Sequence, residues 1–145
     1  MARLPAPRPG LVIRYGYLWR EEALRGRLEG IKDRPCVVVL AVTRDAGRTV
    51  VTVAPITHSA PRAPGEAVEL PPQTLERLGL GVAWDWPGRS WIVATEVNQF
   101  EWPGPDLRPA RAGEWAFGFI PGALLRKLRE AMTARRRLGV SRRGG

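Results

Sequence analysis

The residues of this chain that could do chemistry are polar groups that need no bound metal. The sequence has no Walker phosphate loop, no glycine pattern of a dinucleotide-binding fold, no His-Glu-x-x-His pair and no Gly-x-Ser-x-Gly turn. A single histidine, His58, excludes an acid–base pair of two histidines, and a single cysteine, Cys36, excludes a cysteine-based zinc site and an intrachain disulfide. The carboxylates are too scattered to suggest a metal cluster. What remains is a site built from arginine, threonine, histidine, serine and one carboxylate.

The positive charge of the chain is concentrated near its C-terminus. The 145 residues include 23 basic and 14 acidic side chains, a net charge of +9 at pH 7. Residues 123–145 contain eight of the basic side chains and one of the acidic ones, which gives +7 and leaves +2 for residues 1–122. A basic balance favours a nucleic-acid partner. Because most of it lies in one segment, an RNA site elsewhere in the chain must depend on a few placed residues.

Length and composition predict one compact domain. A chain of 145 residues that is 44% hydrophobic can bury a single core. No apolar run approaches the ~20 residues that cross a bilayer, and the Pro- and Arg-rich start has no apolar segment typical of a secretory signal. We therefore expect a cytoplasmic protein with no membrane partner. It would have a lead-in at 1–9, one domain at 10–138 and a disordered basic tail at 139–145.

Short β-strands separated by turn residues dominate the hydrophobic pattern. The apolar β-branched run at 35–42 predicts a strand buried on both faces. Turn residues at 45–47 predict a hairpin with the run at 49–54, which Pro55 should end. The other predicted elements are strands within 10–18, 67–70, 91–95, 97–102 and 115–120, a short helix at 71–78, and a helix from Pro121 to about Arg137. This order predicts a mainly β (α+β) fold, a small and strongly bent β-barrel with a short inserted helix and a C-terminal helix.

Three segments, in this order and strand context, resemble one known family. They are Glu29-Gly-Ile-Lys-Asp-Arg-Pro35 entering a buried strand, Ala54-Pro-Ile-Thr-His-Ser59 closing the next strand, and Ser90-Trp-Ile-Val-Ala-Thr-Glu-Val-Asn-Gln-Phe100 later on. The opening run Pro9-Gly-Leu-Val-Ile-Arg-Tyr15 is similar to that family's first strand. Over about residues 9–102 the chain resembles the MazF/PemK family of toxin endoribonucleases from toxin–antitoxin pairs.

The resemblance implies an SH3-like barrel that forms a homodimer and cleaves single-stranded RNA at short sequences without a metal or other cofactor. It also implies products with a 2′,3′-cyclic phosphate and a 5′-hydroxyl, and a cognate antitoxin that lays an extended, partly acidic tail into the substrate groove. The family's essential arginine corresponds to Arg34, its threonine to Thr57, and an acidic loop residue of some members to Glu29. A glutamine common in its late strand is replaced here by Glu96, with Gln99 nearby.

The chemistry of such a cleavage suits these residue types. Attack by the 2′-hydroxyl needs a base for that proton, a donor to the leaving 5′-oxygen and positive charge beside the phosphorane. Arg34 has a planar fork that matches two phosphate oxygens, so we assign it charge stabilisation, and Thr57 can hydrogen-bond a non-bridging oxygen. Either Glu29 or His58 can move the proton, since His58 adjoins the threonine and histidine is the residue type suited to proton transfer at physiological pH. The other candidate substrate contacts are Ser59, Lys32, Gln99 and Trp19.

Two other interpretations of the same residues stay open. Small barrels host many functions, so the chain could be a non-catalytic module that binds nucleic acid or protein. It could also be a basic structural protein that holds nucleic acid nonspecifically through residues 126–143. Most of the six tryptophans should pack in the core. We expect one or two to contact RNA or a partner, and Trp84 and Trp86 would share one face of an extended segment.

Overall fold

The computed structural model of the chain describes residues 3–26, 32–80, 88–135 and 137–143. These residues form nine β-strands and three α-helices, which confirms the predicted mainly β, α+β class. The strands are β1 (Leu11–Gly16), β2 (Asp33–Thr43), β3 (Thr49–Thr57), β4 (Ala67–Glu69), β5 (Trp91–Val93), β6 (Glu96–Glu101), β7 (Leu107–Arg108), β8 (Ala116–Phe119) and β9 (Gly139–Arg142). The helices are α1 (Arg20–Leu24), α2 (Pro72–Leu78) and α3 (Gly122–Thr133). None of these three helices is long and apolar enough to cross a bilayer.

All nine strands belong to one strongly curved sheet. Its main path runs β4-β5-β3-β2-β1-β7, while β6 pairs with β3 and β9, and β8 pairs with β1. Every one of these pairings is antiparallel except that of β6 with β9. The ring of Tyr15 on β1 stacks on Phe100 of β6 with 4.4 Å between centroids, although β2 and β3 lie between those strands. The sheet must therefore curl, and no pairing among the described strands closes it into a barrel.

The predicted β2–β3 hairpin is confirmed. Its turn, Asp45–Gly47, is a short 3-10 helix. The burial predicted for the whole of β2 is wrong in its second half, since Leu40 and Val42 are 48% and 40% exposed. The reason is that β1 pairs with β2 only as far as Val37, so the outer half of the hairpin extends beyond the neighbouring strand.

The end predicted for β3 also needs correction. The strand continues through Pro55 to Thr57. Residues Val50–Val53 pair with β6, whereas Ile56 and Thr57 pair with β5. Pro55 thus lies where β3 changes its outer partner, a position at which a missing N–H is tolerated.

The two faces of the sheet have different cores. On one face, α2 and α3 pack against strand residues such as Val37 and Ile56, and we call this cluster the helical core. The aromatic core on the other face consists of Leu11, Ile13, Tyr15, Tyr17, Cys36, Val38, Val51, Val53, Phe100 and Leu107. Because side chains alternate along a strand, Arg34 faces the same side as Cys36 and Val38. The start of β2 therefore places Arg34 at the edge of the aromatic core.

The disordered tail predicted at 139–145 is wrong for the residues that the structure describes. Helix α3 ends at Thr133 rather than near residue 137, and β9 then runs parallel to β6. Arg143 follows β9 with its side chain only 3% exposed, and its guanidinium lies 2.7 Å from the carboxylate of Asp106. One of the arginines that sequence pattern assigned to a tail is therefore used in packing.

Candidate functional site

Arg34 and Thr57 lie at neighbouring ends of β2 and β3. Cys36 is paired with Pro55, and the same register extended by two residues sets Arg34 opposite Thr57. Directly opposed residues of an antiparallel pair have their side chains on one face. Nη1 of Arg34 donates a hydrogen bond of 3.5 Å to the carbonyl oxygen of Ile56, the residue before Thr57. The hairpin thus brings the two predicted side chains to one end of the sheet.

The guanidinium of Arg34 has few partners among the described residues. Its Cζ lies 4.9 Å from the centroid of the Trp19 ring, a cation–π contact. Its Nε is buried and has no hydrogen-bond partner among the described residues. Native proteins keep few such donors, because a buried unsatisfied N–H costs stability. Trp19, a predicted substrate contact, therefore belongs to the same site.

Thr57 ends its strand in a short turn. Its Oγ1 accepts a hydrogen bond of 3.2 Å from the backbone N–H of Ser59. A threonine hydroxyl that accepts one bond can still donate its own proton. His58 and Ser59, both predicted site residues, follow it and are exposed. The hydroxyl is thus held by its own turn and can donate to a phosphate oxygen.

Gln99 is placed away from Arg34. Its Nε2 donates a hydrogen bond of 3.1 Å to Oγ1 of Thr52 on β3. Its neighbour Phe100 belongs to the aromatic core, and alternation along β6 then directs Gln99 to the opposite face of the sheet. Strand β6 therefore contributes residues other than Gln99 to the site.

Lys32 is exposed directly before β2, two residues from Arg34. Glu29, one of the two predicted proton acceptors, and the pair Trp84 and Trp86 lie outside the described residues. Cys36 is fully buried, and burial raises the pKa of its thiol, so it is the core residue that we expect rather than a nucleophile.

Two groups that no sequence pattern assigned to the site lie beside it. The ring of Tyr17 meets that of Trp19 edge to face at 5.1 Å, and its hydroxyl donates a hydrogen bond of 3.0 Å to Oε1 of Glu96. Burial is the main reason that the pKa of Glu96 lies above its usual range, and it raises the pKa of Tyr17 as well. The sequence does contain two signals, since alternation sets Tyr17 in phase with Tyr15, and the resemblance described above predicts that Glu96 replaces a glutamine. Neither signal indicates that the two side chains meet.

The site as a whole combines a guanidinium, a threonine hydroxyl, an indole and a half-buried carboxylate. Guanidinium and hydroxyl can bind a phosphate group, and an indole can stack on an unpaired base. Within the described ranges, no three His, Cys, Asp or Glu side chains are grouped so that they could hold a metal ion. Comparison of the chain with models of known protein families and with curated proteins gives no match.

Proposed function

We propose that this protein is a toxin-type, metal-independent endoribonuclease that cleaves single-stranded RNA and is neutralised by a cognate antitoxin. The observation that carries the proposal is the juxtaposition of Arg34 and Thr57, with Arg34 bonded to the carbonyl that precedes the threonine. The curved sheet with its aromatic interior supports, as part of the same proposal, a small SH3-like barrel.

In the proposed reaction the 2′-oxygen attacks the adjacent phosphorus and the bond from phosphorus to the 5′-oxygen breaks. The products carry a 2′,3′-cyclic phosphate and a 5′-hydroxyl. Arg34 stabilises the charge on the non-bridging oxygens, since its fork can bond two of them, and Thr57 donates to one. The proton of the 2′-hydroxyl passes to Glu29 or His58, and the leaving 5′-oxygen takes a proton from solvent.

The indole of Trp19 supports a single-stranded substrate. A base next to the scissile phosphate can stack on an aromatic ring only when it is not paired within a duplex. The Trp19 ring lies against Arg34, so a base stacked there would set its own phosphate near the guanidinium. The same basic and aromatic surface would suit an antitoxin tail whose acidic side chains mimic phosphates.

The proposal includes a cytoplasmic homodimer. Leu40, Val42 and Phe119 are 48%, 40% and 52% exposed and supply apolar surface for a second copy of the chain.

The test is cleavage of a long single-stranded RNA in excess EDTA. The wild-type protein should give discrete fragments that end in a cyclic phosphate, and Arg34→Ala should abolish them while circular dichroism shows a folded protein. Thr57→Ala should slow cleavage about a hundredfold, the loss expected for one donor to a charged intermediate. Arg44→Ala is the matched control, because Arg44 is an exposed arginine near the turn of the same hairpin. Cleavage by Arg34→Ala would overturn the assigned role, and intact RNA with the wild type would overturn the function.

One observation favours the alternative of a catalytically inactive SH3-like module that binds nucleic acid or protein. Burial of Nε withdraws one of the donors of Arg34 from an incoming phosphate. For an RNA-binding module, the same assay would leave the RNA intact but retarded on a native gel. Arg34→Ala would then remove the binding.

A further inference from the structure

The connection between β1 and α1 is held by side chains of β6. Asn98, which is fully buried, accepts a hydrogen bond of 2.9 Å from the N–H of Leu18 and donates one of 2.8 Å to the carbonyl of Leu18. Glu96, two residues earlier and so on the same face of β6, accepts a bond of 2.9 Å from the N–H of Arg20. Trp19 lies between the two points of attachment, so its backbone is fixed on both sides.

The backbone of Trp19 has a third restraint of its own. Its N–H donates a hydrogen bond of 3.0 Å to Oε1 of Glu22, in the first turn of α1. Three consecutive N–H groups, those of Leu18, Trp19 and Arg20, thus donate to side-chain oxygens rather than to a strand or a helix. A helix of five residues cannot supply this order by itself, because so short a helix is marginal without tertiary contacts.

The attachment points on β6 are themselves supported. Oε1 of Glu96 also accepts the hydroxyl of Tyr17, whose ring packs against Trp19. Oδ1 of Asn98 also accepts a bond of 3.2 Å from Nη1 of Arg143. The two bonds between Asn98 and Leu18 are buried, and a displacement there would leave a desolvated group unpaired, which favours one geometry.

We propose that Glu96 and Asn98 are positioning residues, which fix Trp19 against Arg34 and so hold the guanidinium in one orientation toward an RNA phosphate. The inference rests on the proposed function and deepens it. Among the described residues Arg34 has one long hydrogen bond, so the indole is the main contact in that part of the chain that restrains its guanidinium. A side chain that is ordered before the substrate arrives loses less entropy on binding, and small misplacements of a catalytic group slow a reaction strongly.

Glu96 is the residue to test, because its replacement should spare the fold more than that of the fully buried Asn98. In Glu96→Ala we expect single-turnover cleavage of the long RNA to slow about ten- to a hundredfold, with a much smaller change in the RNA concentration at half-maximal rate. Glu96→Gln keeps an oxygen acceptor and should retain most of the rate. Glu101→Ala, an exposed carboxylate on the same strand, is the matched control and should cleave like the wild type.

A double variant separates positioning from a direct role. If Glu96 acts through the indole, Trp19→Ala combined with Glu96→Ala should cleave no more slowly than Trp19→Ala alone. If the double variant instead cleaves more slowly than Trp19→Ala by the full factor that Glu96→Ala causes alone, the inference is overturned.

A second measurement does not depend on cleavage. By NMR, Glu96→Ala should speed amide hydrogen exchange at Trp19 and Arg20 and shift the side-chain Nε–H resonance of Arg34, whereas Glu101→Ala should do neither. An unchanged Arg34 resonance in Glu96→Ala would refute positioning even if cleavage slowed. If the wild-type protein cleaves no RNA but Glu96→Ala still shifts the Arg34 resonance, the proposed nuclease function is refuted. The positioning of Arg34 for binding is then supported.

Discussion

Arg143 and Arg34 are two guanidinium groups beside the aromatic core, and the structure uses them in opposite ways. Arg143 is 3% exposed, pairs with Asp106 at 2.7 Å and donates to the carbonyl of Gly16 at 2.8 Å and to Asn98 at 3.2 Å. Arg34 has one hydrogen bond of 3.5 Å, an indole against its face, and a buried Nε with no partner among the described residues. An arginine whose donors meet fixed acceptors joins strands, whereas the terminal nitrogens of Arg34, with one long hydrogen bond among the described residues, can still donate to a ligand.

The contrast shows what a charge count leaves out. Both arginines add +1 to a net charge of +9, yet of the two only Arg143 has an acidic partner among the described residues. The C-terminal excess suggested a basic tail that holds nucleic acid, but Arg143 is fully engaged within the fold. Removing the C-terminal segment would therefore test the stability of the sheet as well as RNA binding.

The largest effect expected from this contrast is on cleavage. Arg34→Lys keeps the positive charge and removes the fork, so RNA cleavage should fall about a hundred- to a thousandfold. Its unfolding free energy should change by less than about 1 kcal/mol, because few protein contacts depend on the guanidinium. Single-turnover cleavage and urea unfolding measure the two quantities. Wild-type cleavage by Arg34→Lys would show that charge alone suffices and would contradict the bidentate role.

The next effect is on stability. Arg143→Ala leaves the carboxylate of Asp106 without its cation and should lower the unfolding free energy by about 3 kcal/mol, as expected for breaking a buried ion pair. Its neighbour Arg142 is exposed, so Arg142→Ala should cost less than about 0.5 kcal/mol and serves as the control. Urea unfolding of both variants provides the comparison. Equal losses would mean that burial does not distinguish these two arginines.

The parts of the site that sequence could predict are local. Arg34 and Thr57 flank a hairpin whose turn, Asp45–Gly47, is plain in the sequence, so their proximity follows from strand pairing. The end of α2 was equally clear from the sequence, because a glycine, Gly79, follows Leu78. In the structure Gly79 takes the left-handed conformation, with φ of 69°, that glycine adopts readily after a helix.

The parts that sequence could not predict depend on distant partners. Strand β9 has no clear alternation, and it forms because β6, about forty residues earlier, offers an edge. The burial of Arg143 depends on Asp106 from a separate turn. Likewise, Glu96 joins the site only because the sheet curls until β6 faces the chain that follows β1.

A smaller effect concerns pH. The folded-state pKa of Glu96 is raised from 4.5, chiefly because burial disfavours the carboxylate. The hydrogen bonds from Arg20 and Tyr17 and the charge of Arg20 lower this pKa, and the charge of Glu22 raises it. Protonation therefore favours the folded state: this contribution is present below the ordinary pKa and is lost as pH rises through the raised value. Relative to Glu96→Gln, the wild type should lose stability as the pH rises above the ordinary pKa of glutamate and through the raised value. A pH-independent difference in urea unfolding would contradict the burial of this carboxyl.

The smallest effect is expected where α1 approaches β9. A Cβ added at Gly139 would lie 3.0 Å from Cδ and 3.1 Å from Nη1 of Arg20, so Gly139→Ala must displace that flexible side chain by a few tenths of an ångström. Because the N–H of Arg20 is one of the bonds that fix Trp19, we expect cleavage to slow no more than about threefold and stability to fall by less than about 1 kcal/mol. Gly122→Ala, with nothing within 4 Å of the added atom, is the control for the loss of a glycine. If the two variants cleave alike, the packing of Arg20 on β9 contributes nothing to holding Trp19, and the side chains of β6 alone must order the guanidinium.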